Sequence, residues 1–585
     1  MYSTVLIVGA GESGLCMGVQ LKTKFNLTDF VIYERNSDIG GTWYVNTYPG
    51  VACDVPALCY SFSFATNPDW STSYPHGPEL HAYLTKVCED YKLRPHITFN
   101  TEVESATYDE KREIWSVRLR RRAVAEWELN LGDKYIKKTI TTTGEVGDTW
   151  THECKLFFTA VGGLIEPADI NMKGMENFKG PIFHSAFWDH TVDINDKNVV
   201  LVGNGCTAAQ IVPAIEPKVK SLTQIVRSSH WMLPRPSFPG VSTENYEKWS
   251  PTVFRYLPGS QLVARYLVFA GIESAWLAFR NTPLGEKLRA ATERKSIKHV
   301  KAKAPEEYWD LLIPKFPIGF KRRIFDDTYL PSLGSPKVHL TKDDITHLSE
   351  DAVHTATGAE YKADVVIMAT GFKTNEWIAP LKIIGRKGED LSEHWRKMGG
   401  PAAYNATAMN GFPNCFLIVG PNSITGHTSV ILATENMCRY ALNIAAPVLK
   451  GDASEVEIKR EAEVDYSKWM QEAMTRTVFS NREFKSWYVR EDGWNSSTYP
   501  RSQLHFMYRS YFPVYKDWVI KKTSQGIWKS RIRRILVLFL IFGAGATNFF
   551  LRKRGLTFRD MATLGASILV SSLENVTGTL KATLQ

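Results

Sequence analysis

At 585 residues the chain exceeds a single hydrophobic core and predicts about three to four domains or subdomains. Its 44% hydrophobic and 22% charged residues exclude a disordered or fibrous protein, and 12% aromatics with 17 Trp predict an aromatic-lined interior. The net charge of +9 comes from Lys and Arg spread along the sequence with no nucleic-acid motif, so it reads as a solvated basic surface.

A strand begins by Thr4 and a nucleotide loop by Gly9, which leaves no room for a cleaved secretory signal. The segment Thr4 to Leu21, TVLIVGAGESGLCMGVQL, reads as buried strand, GxGxxG turn and helix, with Gly9, Gly11, Ser13 and Gly14 in the turn. The glycines serve the tight turn, the approach of a diphosphate and close packing of helix on strand, with phosphate at the helix N-terminus. Glu34 closes the strand FVIYE, 20 residues after Gly14, where a carboxylate accepts ribose hydroxyls; Glu12 is expected to face solvent. The stretch Gly40 to Asp54, GGTWYVNTYPGVACD, follows. CKLFFTAVGG, Cys154 to Gly163, returns to a strand ending in a small-residue turn.

FKGPIFHSAFWDH, Phe178 to His190, contains Phe178, Gly180, His184 and Trp188 at spacings of two, four and four, and no turn of its own requires them. A second unit, NVVLVGNGCTAAQIVPAI, carries Gly203, Asn204, Gly205, Cys206, Thr207, Ala208, Ala209 and Gln210 in and after GxGxxA. Its next strand, LTQIV, is followed by Arg227 and Ser228 where the first unit has Glu34; a guanidinium grips the 2′-phosphate of NADPH, which a carboxylate would repel. Residues 235–320 carry aromatics and helical stretches without a nucleotide motif, a helical insertion expected to cap the substrate entrance. ADVVIMATGF, Ala363 to Phe372, is a second strand with a small-residue turn.

These returns predict an α/β fold of two interleaved Rossmann-like dinucleotide-binding domains. An FAD-binding domain takes residues 1–165 and 356–515, an NADPH-binding domain 166–355 with the insertion, and a tail 516–585. A nicotinamide donor and a flavin acceptor leave open where the electrons go. The eight cysteines are scattered, with no redox CxxC and no His at zinc spacing; they read as reduced thiols, without a metal site, facing the cytosol. Oxygen is the remaining common acceptor.

In the tail, RIRR precedes an apolar run of 17 residues, Ile535 to Leu551, and RKRG follows. As a helix it covers roughly 25 Å, near the lower limit for a transmembrane helix. It predicts a membrane anchor, on the endoplasmic reticulum or another internal membrane, with cytosol-facing catalytic domains; without such an anchor the enzyme is cytoplasmic. Basic residues on both flanks leave orientation undecided. The milder stretch Met561 to Leu573 is expected to lie at the interface or pair with the first.

Phe178 to Asp189 matches FxGxxxHxxxW(P/D), and Gly40 to Asp54 matches GGxWxxxx(Y/F)PGxxxD. Over about residues 4 to 515 the chain therefore resembles the type I Baeyer–Villiger monooxygenases, in the style of fungal members acting in secondary metabolism. The resemblance implies oxygen insertion beside a ketone carbonyl, giving an ester or lactone, with FAD, NADPH and O2. It assigns Arg322, of the Lys321-Arg322 pair in GFKRRIFDDTYL, to stabilising the anionic oxygen adduct. Asp54 orients Arg322, Lys321 helps hold the nicotinamide dinucleotide, and Arg323 stands where the family often has Pro. Thr42, Trp43, Tyr44, Val45, Tyr60 and Val103 line the flavin, Ala52, Cys53 and Asp54 border NADPH, and GPNSITGHTSVI, Gly420 to Ile431, closes over the flavin. Phe178, His184 and Trp188 are expected to anchor the linker into the NADPH domain rather than perform chemistry. The alternatives are an N- or S-oxygenating flavin monooxygenase and, of another class, a non-catalytic flavoprotein redox sensor. The ketone's identity and the oligomeric state stay open.

Overall fold

The computed structural model describes residues 1–129, 145–164, 166–236, 238, 240–374, 376–481, 483–484 and 486–553. Its first sheet has the strand order Lys382–Ile384, Thr101–Asp109, Ile114–Arg121, Thr149–Thr159, Tyr2–Val8, Phe30–Tyr33, Ile97–Thr98, and Cys415–Leu417 pairs onto Thr149–Thr159. The central strands are parallel, Leu6 lying between Val31 and Phe157. Covered on both faces, such strands are continuous apolar runs, and Val5 to Val8 are all buried.

The second sheet is fully parallel, in the order Val338–Thr341, Ser221–Ile225, Asn198–Val202, Val365–Met368, Ile182–His184. Val365–Met368, expected in the returning flavin segment that begins at 356, belongs here: Val366 pairs with Val200 and with Ile182. The chain therefore stays in the second sheet beyond the expected boundary, because a short apolar strand fits either sheet and its pairing decides. Each glycine loop leaves the end of a central strand and starts a helix, Glu12–Phe25 in the first sheet and Cys206–Ile215 in the second. This geometry points both helix N-termini at one crevice.

Between Met232–Pro234 and Ile324–Asp326 run the helices Thr243–Tyr256, Ser260–Ser274, Trp276–Phe279 and Pro283–Lys303. Ser242 and Thr282 cap the first and last by accepting the N–H of Asn245 and of Gly285. The stretch Ser260–Phe279, with mean hydropathy 1.4, is long and apolar enough to cross a membrane by length and composition. Two buried charges nevertheless tie it to the fold: Arg265 Nη1 donates to the carbonyls of Leu58 (2.9 Å) and Ser61 (3.0 Å), and Glu273 accepts from His427.

Both sheets and this insertion lie in one compact unit, Met1–Ala446 with Glu455–Ile520. A second unit comprises Pro447–Ser454 and, among the described residues, those from Lys521 to Lys553. It contains the helix Ser524–Lys553, which begins well before the expected apolar run, and Ile535 to Phe542 are exposed along it. Met561 to Leu573 lie outside the described residues.

Candidate active site

A single cavity of about 1460 Å³ runs between the two glycine loops. At its first end it is lined by Gly9, Gly11, Ser13 and Glu34 and, beside them, by Thr42, Trp43, Val45, Tyr60 and Val103. Ala52, Cys53 and Asp54 follow, then Gly203, Asn204, Gly205, Cys206, Thr207, Arg227, Ser228, Lys321 and Arg322. A dinucleotide fits the first loop. A Cβ at Gly14 would stand 1.9 Å from the Gly9 carbonyl oxygen, so only glycine lets the helix start against the strand and turn its N–H groups to the cavity. Glu34 accepts the N–H of Ala10 (2.7 Å) and of Asn36 (2.9 Å), which fixes its carboxylate at the rim with lone pairs to spare. Burial raises its pKa, and those two bonds oppose the rise.

Glu12 does not face solvent. Its Oε2 is buried without a hydrogen-bond partner, and burial pushes its carboxyl to about 7 against the pull of Tyr60 and Thr434. A carboxyl that takes up its proton near neutrality exerts little of the repulsion on a diphosphate that an exposed one would. Tyr44 also departs from expectation. On the short helix Thr42–Val45 it turns from the cavity into a buried cluster, its hydroxyl donating to Glu128 Oε2 (2.8 Å) beside Ser37. Trp43 keeps to the cavity, its Nε1 donating to the Tyr60 hydroxyl (3.1 Å).

At the second end Lys321 Nζ donates to Ser228 Oγ (3.1 Å), and Asn204 Nδ2 to the Ser228 carbonyl (3.1 Å). Burial and the Arg227 charge lower the Lys321 pKa. Arg227, Ser228 and Lys321 thus form a cationic rim suited to a 2′-phosphate. Ala208, Ala209 and Gln210, expected to touch the nucleotide, do not line the cavity. The two alanines are buried in the core beneath the loop, while Gln210 accepts from the Tyr48 hydroxyl (2.9 Å) and donates to the Ala52 carbonyl (2.9 Å). The helix surface after the first turn faces the sheet and the Gly40 to Asp54 loop, which explains the difference.

Arg322 and Asp54 meet in a bidentate pair, Nε to Oδ2 at 2.8 Å and Nη2 to Oδ1 at 2.7 Å, while Nη1 donates to the Gly426 carbonyl (3.2 Å). Burial acts to lower the Arg322 pKa, but the charge and hydrogen bonds of Asp54 outweigh it and raise it overall. A second, largely apolar chamber of about 440 Å³ opens beside the pair, walled by the insertion. Asp54, Val55 and Arg322 line both spaces, so the guanidinium stands where they join.

The segment Phe178 to Trp188 lines neither. Phe178 and Trp188 are core residues, and a Cβ at Gly180 would lie 2.2 Å from the Asp364 carbonyl oxygen. His184 ends a strand paired with Met368, and its Nδ1 accepts the Ala186 N–H (3.1 Å). Burial lowers its pKa. The spacing thus seats a linker in the second sheet.

Three side chains at or near the two cavities have no role in the sequence reading. Glu273 Oε2 bonds His427 Nε2 (2.9 Å) while Oε1 accepts the Leu504 N–H (2.9 Å), which clamps the insertion to the 420–431 loop and to the helix Gln503–Tyr511. Arg323 lines the chamber, and Tyr488 lines the larger cavity. Glu273 and Tyr488 stand in no motif, and Arg323 stands in GFKRRIFDDTYL without a role assigned to it there.

Residues 7–74 match the family model of the NAD(P)-binding Rossmann-like domain. A Baeyer–Villiger monooxygenase of Pseudomonas aeruginosa is 32% identical over 501 residues, covering 85% of this chain and 88% of the relative. An FAD-binding monooxygenase of Aspergillus niger is 30% identical over 525 residues, 89% of this chain and 82% of the relative. Among solved structures, an oxidized steroid monooxygenase bound to NADP has a TM-score of 0.71 at 25% identity, over 89% of this chain and 100% of that one. A cyclohexanone monooxygenase from Rhodococcus sp. Phi1 bound to NADP+ shares the fold, with a TM-score of 0.72 at 23% identity over the same shares. The chain belongs to the Baeyer–Villiger monooxygenases and is an FAD- and NADPH-dependent flavoprotein monooxygenase.

Proposed function

We propose that the apolar chamber takes a lipophilic ketone of secondary metabolism and that Arg322 and Asp54 direct oxygen insertion beside its carbonyl, giving an ester or lactone. The observation that carries this reading is the bidentate Arg322–Asp54 pair at the junction of the two cavities. When bound, NADPH supplies the hydride and FAD the electrons that activate O2. Gly9, Gly11, Ser13, Glu34, Thr42, Trp43, Val45, Tyr60 and Val103 would hold FAD. Gly203 to Thr207, Arg227, Ser228 and Lys321 would hold NADPH, with Ala52, Cys53 and Asp54 at its inner edge.

Arg322 carries a fixed positive charge to the place where negative charge develops on oxygen, and it gives up no proton in doing so. Asp54 holds the guanidinium plane at two points and the Gly426 carbonyl takes an Nη1 proton, so the direction of the charge is fixed. The chamber walls, including Val55, Leu58, Trp70 and Phe254, exclude water that would quench an activated oxygen. Purified enzyme supplied with NADPH, O2 and cyclic, steroid-like or polyketide-like ketones is expected to add one oxygen atom next to the carbonyl, read by product mass and position. Oxygenation confined to amines or sulfides sinks the assignment, and absence of any product leaves a redox sensor.

The tail reading is part of the proposal. The helix Ser524–Lys553 attaches the enzyme to an internal membrane, supported by the exposed run Ile535 to Phe542 and the basic cluster Arg531 to Arg534 that precedes it. Full-length protein should float with vesicles, and protein ending near residue 525 should not; equal flotation refutes the anchor.

A further inference from the structure

The oxygenation proposed above leaves one half-buried cation without a task. Arg323 follows Arg322 in the chain, yet it lines only the apolar chamber. Its guanidinium lies over the rings of Phe279 (5.5 Å) and Phe325 (5.8 Å), and among the described residues its side chain makes no hydrogen bond or ion pair. The two carboxylates that line the chamber are committed elsewhere. Asp54 gives both oxygens to Arg322, and Glu247 accepts the Ser73 N–H (2.7 Å). The carboxylate nearest in role, Glu273, is held by His427 and by the N–H groups of Gln503 and Leu504.

Burial, and next to it the Arg322 charge, push the Arg323 pKa down to about 10, still far enough above neutrality to leave it charged. A charge held against apolar walls without an ion pair is costly, and two aromatic faces with the Asp54 charge shared by Arg322 offset only part of that cost. The deficit closes when an anion enters. A carboxylate matches the planar fork of guanidinium in charge and in its two oxygens, and the rest of the chamber, with Leu233, Phe238, Phe254, Leu267 and Ile272, suits a hydrocarbon body.

We infer that Arg323 is a specificity-determining residue that binds a carboxylate on the substrate, so that the preferred substrates are lipophilic keto acids rather than neutral ketones. The inference rests on the reading that the chamber takes the ketone. Because Arg322 is held by Asp54, the two consecutive arginines divide the work: one faces the reacting carbonyl, the other the distant anion.

The test uses FAD-loaded, full-length enzyme and three probes: a cyclic ketone bearing a carboxylate, its methyl ester, and the same carboxylic acid with the ketone reduced to methylene. In the wild type kcat/KM for the keto acid should exceed that for the ester by at least about tenfold. In Arg323→Met that ratio should fall to near one, and Arg323→Lys should keep part of it. The saturated acid, titrated against the flavin absorbance of the NADP+-bound enzyme, should bind the wild type at least about tenfold tighter than Arg323→Met. A wild-type ratio near one, or a ratio that survives in Arg323→Met, overturns the inference while leaving ketone oxygenation intact. If neither ketone gains oxygen but the saturated acid binds through Arg323, the reaction fails and the anion site stands. Should Arg323→Met not retain FAD, the wild-type ratio and Arg323→Lys decide the matter.

Discussion

The dinucleotide cavity and the apolar chamber are built by opposite means. The cavity is made by backbone: two glycine loops, each at the end of a parallel strand, turn N–H groups and a few fixed side chains toward it. The chamber is made by side chains of a helical insertion held in place by distant contacts, Arg265 to Leu58 and Glu273 to His427. Arg322 and Asp54 belong to both. The difference teaches that cofactor sites demand short, regular spacings, whereas substrate sites are the product of tertiary packing and can change without touching those spacings.

The sharpest way to break the backbone-built side is Gly14→Val. A Cβ there would stand 1.9 Å from the Gly9 carbonyl oxygen, and the loop cannot close around it. The variant should purify without bound flavin and lose at least about 3 kcal/mol of stability, measured by the flavin-to-protein absorbance ratio and by denaturant unfolding. Full flavin occupancy at wild-type stability contradicts the close packing described here.

A smaller effect is expected at the far rim. Arg227→Ala should cut the preference for NADPH over NADH by about 10–100-fold, the loss of a charge-assisted phosphate contact worth about 1.5–3 kcal/mol. Steady-state kinetics with both nucleotides measure it, and an unchanged preference removes Arg227 from the phosphate site.

The smallest effect sharpens the side-chain-built region. Burial acts to raise the Glu273 pKa, but the hydrogen bonds of His427 and the Leu504 N–H outweigh it, so the folded value lies below the ordinary glutamate range. A depressed carboxylate pKa adds stability above the unfolded value of about 4.3 and loses it as pH falls through the folded value. Glu273→Gln should therefore cost about 1–2 kcal/mol at pH 7, and the difference from wild type should start to shrink below the unfolded value of about 4.3 and vanish only once pH falls through the lower folded value. Paired unfolding curves across that range check it. A pH-independent difference would mean that packing, not charge, holds the clamp.

The same contrast explains what could be read from residues alone. Both nucleotide loops, Glu34 and the Arg227 position were legible because each needs particular residue types at fixed separations along one strand, turn and helix, whereas the Lys321-Arg322 pair was legible only through the family resemblance. Tyr44 and Glu12 were misjudged because their direction is set by residues far along the chain, Tyr44 by Glu128 and Glu12 by Tyr60 and Thr434. The sheet joined by Val365–Met368 was equally out of reach: its apolar run fits either sheet, and only pairing with Asn198–Val202 decides. Glu273 carries no periodic or motif signal and the motif around Arg323 gives that residue no role, since their partners, His427 and the ring of Phe279, come from other parts of the sequence.

The central claim, that the Arg322 guanidinium acts at the junction on developing oxygen charge rather than in cofactor loading, is tested most directly by Arg322→Ala assayed in two halves. Anaerobic bleaching of the flavin by NADPH should persist, while ester or lactone formed in air with a ketone should fall by about 10²–10³-fold. Product formation at the wild-type rate, or a loss of bleaching as large as the loss of product, would contradict the account.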